Sequence, residues 1–215
     1  PTAILGPTNV CVGSVIVLSN ATVGGTWSSS NSNAVIGSAT GIVTGASIGS
    51  AVITYSTGAG CFSTATIAVN PLPGAITGAN NICIGSTTVL SDGTIGGTWI
   101  TGSSNVSVGS ASGIVTGISA GAATISYLLG TGCFSVFSMT VDPLPVGISG
   151  ATNVCVGSSV VLSDATPGGS WSSSNSNASI GSLTGVVTGN AAGTSIITYT
   201  LSTGCITTST MAIDP

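Results

Sequence analysis

The sequence predicts an all-β protein built as three tandem β-sandwich repeats of 72 residues. Three observations predict it. Trp27, Trp99 and Trp171 stand 72 residues apart, and Cys11, Cys83, Cys155 and Cys61, Cys133, Cys205 keep the same step. A fixed period of that kind marks a repeat architecture. Short runs rich in Val, Ile and Thr are bounded by Gly, Ser, Asn and Pro, the punctuation of strands and turns. No segment carries a helical period.

Each element of the first copy follows from that punctuation. Strands are expected near 2–5, 9–12, 15–20, 25–30, 33–36, 41–44, 50–56 and 62–69. Gly24-Gly25, Gly45 and Gly58 to Gly60 mark turns. Along 62–69, Ala65, Ile67 and Val69 alternate with Phe62, Thr64, Thr66 and Ala68, so the former side faces a core. Seven or so short strands in about 70 residues fit a small sandwich, near the lower size limit for a self-sufficient core. The strict period and the cysteine pairs argue against a β-helix. The repeats are read as 1–72, 73–144 and 145–215, with Pro1, Pro73 and Pro145 opening each copy. Because self-contained arrays carry atypical capping ends, the chain is expected to be a window of a longer array.

Charge removes whole classes of function. The chain has no Lys, Arg or His, and its acidic residues are Asp92, Asp142, Asp164 and Asp214. Nucleic-acid binding needs cations to displace phosphate counterions. Triad, Ser-Lys and Schiff-base chemistry need a base or an amine that the chain lacks. No enzyme activity is expected. Apolar runs are short, as in Val15-Ile16-Val17-Leu18, and far below the ~18–20 residues of a spanning helix.

The stretch Thr26-Trp27-Ser28-Ser29-Ser30-Asn31, then Gly41-Ile42-Val43-Thr44-Gly45, Gly49 and Ile53-Thr54-Tyr55, resembles the bacterial Ig-like domain of group 2. The second copy keeps Gly113-Ile114-Val115-Thr116-Gly117 and Ile125-Ser126-Tyr127, but Trp99 is followed by Ile-Thr-Gly. The third keeps Gly185-Val186-Val187-Thr188-Gly189 and Ile197-Thr198-Tyr199. The cysteine pairs and PLP linkers look like tandem arrays in secreted proteins of Bacteroidetes-type bacteria. The resemblance implies extracellular stalks and adhesin shafts, and it carries over no catalytic residue.

Candidate residues then take structural roles. Two cysteines per copy are read as intra-repeat disulfides, Cys11–Cys61, Cys83–Cys133 and Cys155–Cys205, with inter-repeat or inter-chain bridges and free thiols as the alternatives. A bridge closing about 50 residues is worth roughly 4 kcal/mol on the chain-entropy model and implies an oxidising compartment. The tryptophans are read as core aromatics, with a sugar-stacking platform as the alternative. The four aspartates align with Asn20 or Asn70 and are read as turn and linker chemistry. No metal is expected, calcium included, and no cofactor. Glycans are considered as a surface covering; Asn20, Asn105 and Asn177 head N-linked sequons but do not occupy one shared position. Pro71, Pro73, Pro143 and Pro145 stiffen the linkers. The expected function is a building block of a bacterial surface filament or an adhesin stalk, self-associating along and between repeats. The alternative is a carbohydrate- or ice-binding module with cell-surface contacts.

Overall fold

β-Branched residues dominate the strands of the first copy, where their stiff side chains suit a pleated, half-buried surface. The computed structural model describes residues 1–58 and 60–215; Ala59, inside the expected Gly58–Gly60 turn, lies outside the described residues. The strands are β1 Asn9–Cys11, β2 Val15–Val17, β3 Thr26–Ser29, β4 Ala34–Ile36, β5 Ile42–Gly45, β6 Gly49–Ser56 and β7 Phe62–Asn70. The segment expected as a strand at 2–5 makes only an isolated bridge, Leu5 with Ser19.

Two sheets result. One has the order β1-β7-β6-β3 and the other β2-β5-β4. β6 and β7 form a long antiparallel hairpin from Gly49↔Val69 to Ser56↔Phe62. β1 runs parallel to β7, with Cys11 opposite Asn70. Ala51, Ile53 and Tyr55 of β6 point inward, as do Ile67 and Val69 of β7, while Ala65 is half-buried. Gly45, expected in a turn, instead closes β5. An added Cβ there would come within 2.7 Å of the Cys11 carbonyl and 3.0 Å of Val69, so the two sheets meet closely at that point.

The second and third copies repeat this plan with their own four- and three-stranded sheets. Each has its own apolar core around Trp99 or Trp171. The third adds a two-residue pair, Ile148–Ser149 with Ser163–Asp164, where the second has a single bridge, Thr77 with Ser91. The chain is therefore all-β, a series of sandwich-like units. No helix is long and apolar enough to cross a membrane among the described residues.

The direction of β7 places the cysteines. Cys61 precedes β7 at the hairpin end of the unit, and Cys11 lies beside its last residue. Nine residues of strand separate the two ends by about 30 Å at roughly 3.3 Å per residue.

Candidate functional site

That separation forbids the intra-repeat pairing, because a disulfide needs Cα atoms about 4.4–6.8 Å apart. The bonds found are Cys11–Cys133 and Cys83–Cys205, with Cα atoms 5.7 and 5.6 Å apart. Cys11–Cys61, Cys83–Cys133 and Cys155–Cys205 are corrected accordingly. Each bond joins the β1 end of one unit to the hairpin end of the next. Among the described residues, Cys61 and Cys155 are the thiols outside these bonds, and both are exposed.

Each joint thus has two covalent strands. One is the peptide, Asn70-Pro71-Leu72-Pro73 or Asp142-Pro143-Leu144-Pro145. Its first proline is exposed and its second is buried. The other is the disulfide, whose second sulfur belongs to a residue, Cys133 or Cys205, with 0% exposure. Asn70 and Cys11 are neighbours across β7 and β1, so peptide and disulfide leave the first unit side by side. While that unit is folded, the bond closes the second unit's chain from linker to Cys133. That loop has roughly 60 residues and is worth about 4 kcal/mol on the chain-entropy model. The gain depends on the neighbour being folded, which an intra-repeat bond would not require.

Polar side chains fix the same two ends in every unit. Asn9 accepts from Asn70 Nδ2 at 3.3 Å beside Cys11. Asn81 and Asn153 donate to Asp142 and Asp214 at 3.4 and 3.3 Å beside Cys83 and Cys155. Sequence reasoning missed this pair; its signal is the Asn that stands two residues before each of those cysteines. At the linker end, Asn20, Asp92 and Asp164 accept through Oδ1 from the backbone N–H two residues on, at 2.9, 2.7 and 2.8 Å. Asp92 also accepts from Gly74 N–H, just past the first linker, at 3.2 Å. These carboxylates and amides do interchangeable backbone-holding work. Among the described residues, no three His, Cys, Asp or Glu side chains gather as a metal site.

The tryptophans are not surface platforms. Trp27, Trp99 and Trp171 are 8%, 5% and 8% exposed. Each lies against the paired tyrosine, with ring centroids 4.6–4.7 Å apart and tilted. The tyrosine hydroxyl donates to a loop carbonyl and accepts a glycine N–H: Tyr127 bonds Thr94 O at 2.7 Å and Gly97 N at 2.9 Å. A Cβ on Gly97 would fall 2.5 Å from that ring, which is why the loop passes there on a glycine. A shallow open cleft of about 280 Å³ lies beside Trp171 and Tyr199, and one of about 360 Å³ beside Trp27 and Tyr55. The sequon amides are occupied: Asn20 Nδ2 donates to Thr2 O at 2.6 Å, Asn105 to Ala122 O at 2.9 Å and Asn177 to Thr194 O at 3.3 Å.

No protein-family profile matches the chain, and no curated protein matches it. Among solved structures, the chain is similar to a C-terminal 282-residue fragment of intimin, solved with the intimin-binding domain of the translocated intimin receptor. That match has 16% identity and a TM-score of 0.39, and covers 67% of this chain and 66% of that one. The S-layer protein rSbsC(31–844) gives 17% and 0.29, over 99% and 40% of the two chains. The N-terminal eight Ig domains of Down Syndrome Cell Adhesion Molecule give 9% and 0.37, over 99% and 36%. The chain spans less than two thirds of each of these proteins. Likeness at this level assigns no activity.

Proposed function

We propose that the chain is a stretch of a non-enzymatic extracellular structural protein, a bacterial surface filament or adhesin stalk made of Ig-like repeats similar to the group 2 type. The repeats are 1–72, 73–144 and 145–215. The observation that carries this reading is the doubled joint: a proline-bearing linker and a disulfide side by side, twice in register. Two covalent strands restrict bending and twisting at a joint far more than one. Identical joints between near-identical units give a regular path. Disulfides between units persist in an oxidising compartment, which supports an extracellular site. The lack of any Lys, Arg or His leaves no cation for a nucleic-acid partner and no amine or imidazole base for catalysis.

The test is electron microscopy of the extracellular fraction of producing cells, labelled with antibody raised against the chain. Labelled strings or filaments are expected, with an axial advance of roughly 30–40 Å per unit from the strand length. Label confined to the cell interior, or to round particles, contradicts the reading.

A further inference from the structure

The two bonded joints and the two exposed thiols obey one rule. In each bond, the cysteine at the β1 end of a unit pairs with the hairpin-end cysteine one unit on: Cys11 with Cys133, Cys83 with Cys205. Cys155 is the third β1-end cysteine, opposite Asp214 as Cys11 is opposite Asn70. Cys61 is the remaining hairpin-end cysteine. Both are exposed, whereas Cys133 and Cys205, the bonded equivalents of Cys61, are wholly buried. The same backbone position is thus covered wherever a neighbouring β1 end reaches it. By topology, Cys155 and Cys61 lie at opposite ends of the series, so each unit end that lacks a partner carries the half of the joint that the other end lacks.

We propose that Cys155 and Cys61 are a head-to-tail linking pair: Cys155 of one molecule bonds Cys61 of a second copy of this chain, making the joint that Cys11–Cys133 and Cys83–Cys205 make within it. The contact is heterologous and open, so it propagates into a linear chain rather than closing as a dimer. The chemistry is thiol–disulfide exchange with a small-molecule disulfide as oxidant. With glutathione disulfide, the Cys155 thiolate attacks one sulfur and expels a glutathione thiolate. The Cys61 thiolate of the second molecule then attacks the Cys155 sulfur of the mixed disulfide and expels the other. Two protein thiols lose two electrons and two protons, and glutathione disulfide takes them up as two glutathione thiols. The inference deepens the filament reading and rests on it for its purpose, but its test does not.

The full chain, with its two internal disulfides formed, is incubated with glutathione disulfide and resolved without reductant. A ladder in steps of the 20.3 kDa chain mass is expected, collapsing to one band on reduction. Cys61→Ser and Cys155→Ser chains, each altered at an exposed position, are then tested apart and mixed. Each alone is expected to stay monomeric, and the mixture to give a dimer whose bridging peptides hold Cys155 and Cys61. Dimers from either variant alone, a monomer closed by its own Cys61–Cys155 bond, or thiols capped only by glutathione would overturn the proposal. If the ladder fails while labelled filaments are seen outside cells, the linking pair is wrong and the filament reading stands. If the ladder forms from a chain found only inside cells, the linking pair stands and the filament reading is wrong.

Discussion

The interior of a unit and the joint between units are built on different logic. Inside, the Trp–Tyr pair, the Tyr–loop hydrogen bonds and the glycine beneath the ring recur three times with almost the same distances. The second unit tolerates a local departure. Where Ser30 and Ser174 accept from Val52 and Ile196 N–H at 2.9 Å, Gly102 has no side chain, and Thr101 Oγ1 instead donates to Thr124 O at 2.8 Å. The interior is therefore self-contained, and it absorbs substitutions at its rim. The joint is not self-contained: its bond takes one sulfur from each of two units. The comparison teaches that fold and stiffness are separately encoded in this chain. Apolar alternation and a buried aromatic make the unit, and the cysteines make the array.

The largest effect expected on the interior comes from Trp99→Ala. Truncating a buried Trp costs about 3–5 kcal/mol, enough to unfold a unit of this size. Urea unfolding followed by the fluorescence of Trp27 and Trp171 is expected to show the flanking units still folding. Simultaneous loss of all three would mean that the interiors are not independent.

Breaking a joint comes next. Cys11→Ser with Cys133→Ser is expected to lower the stability of the second unit by about 2–4 kcal/mol and to broaden the particle dimensions seen by small-angle scattering, with strand content by circular dichroism unchanged. The coupling has a sharper form. In the oxidised chain, Trp27→Ala unfolds the first unit and frees the loop held by Cys11–Cys133, so the second unit loses stability as well. In the reduced chain that second loss is expected to vanish. A double-mutant cycle between Trp27→Ala and the cysteine changes measures it directly.

Gly97→Ala is a smaller test of the interior. Its methyl group would meet the Tyr127 ring at 2.5 Å, and overpacking of that kind costs about 1–3 kcal/mol. Thermal unfolding is expected to show the loss in the second unit, whether or not the disulfides are reduced. The smallest effect is expected from Asp92→Asn. Asn20 already makes the same bond to the N–H two residues on, so the change is expected to stay within about 0.5 kcal/mol. Asp92→Ala, which leaves Gly74 and Thr94 N–H without that acceptor, should cost more.

Most of the interior is legible in the sequence, because local physics writes it there. Alternation along 62–69 marks Ile67 and Val69 as the buried residues they are, and the glycine and serine punctuation marks seven of the eight expected strands of the first copy. The segment at 2–5 fails as a strand because its pairing is limited to Leu5 and Ser19, with the rest held by side chains such as Thr22 Oγ1, which accepts from Thr2 N–H. Gly45 reads as a turn residue because glycine serves close sheet contacts as well as turns. The disulfides escape the sequence for a deeper reason. In a strict repeat, Cys61 and Cys133 are the same position modulo the period, so spacing alone cannot tell a bond within a copy from one to the next. Only the direction of β7, which sends Cys11 and Cys61 to opposite ends, breaks the tie. The parallel pairing of β1 with β7 sets that direction, and no short-range signal in the sequence encodes it.

The most direct test of the doubled joint is disulfide mapping by mass spectrometry after alkylation of free thiols. Chymotrypsin serves as the protease, since the chain has no Lys or Arg for trypsin to cut. The residues flanking all six cysteines differ enough to identify each peptide. Cross-linked peptides joining Cys11 to Cys133 and Cys83 to Cys205, with the alkyl label on Cys61 and Cys155 of the monomer, are the expected result. Peptides joining Cys11 to Cys61 and Cys83 to Cys133 would contradict it, returning the bonds to the units and leaving the joints to the linkers alone.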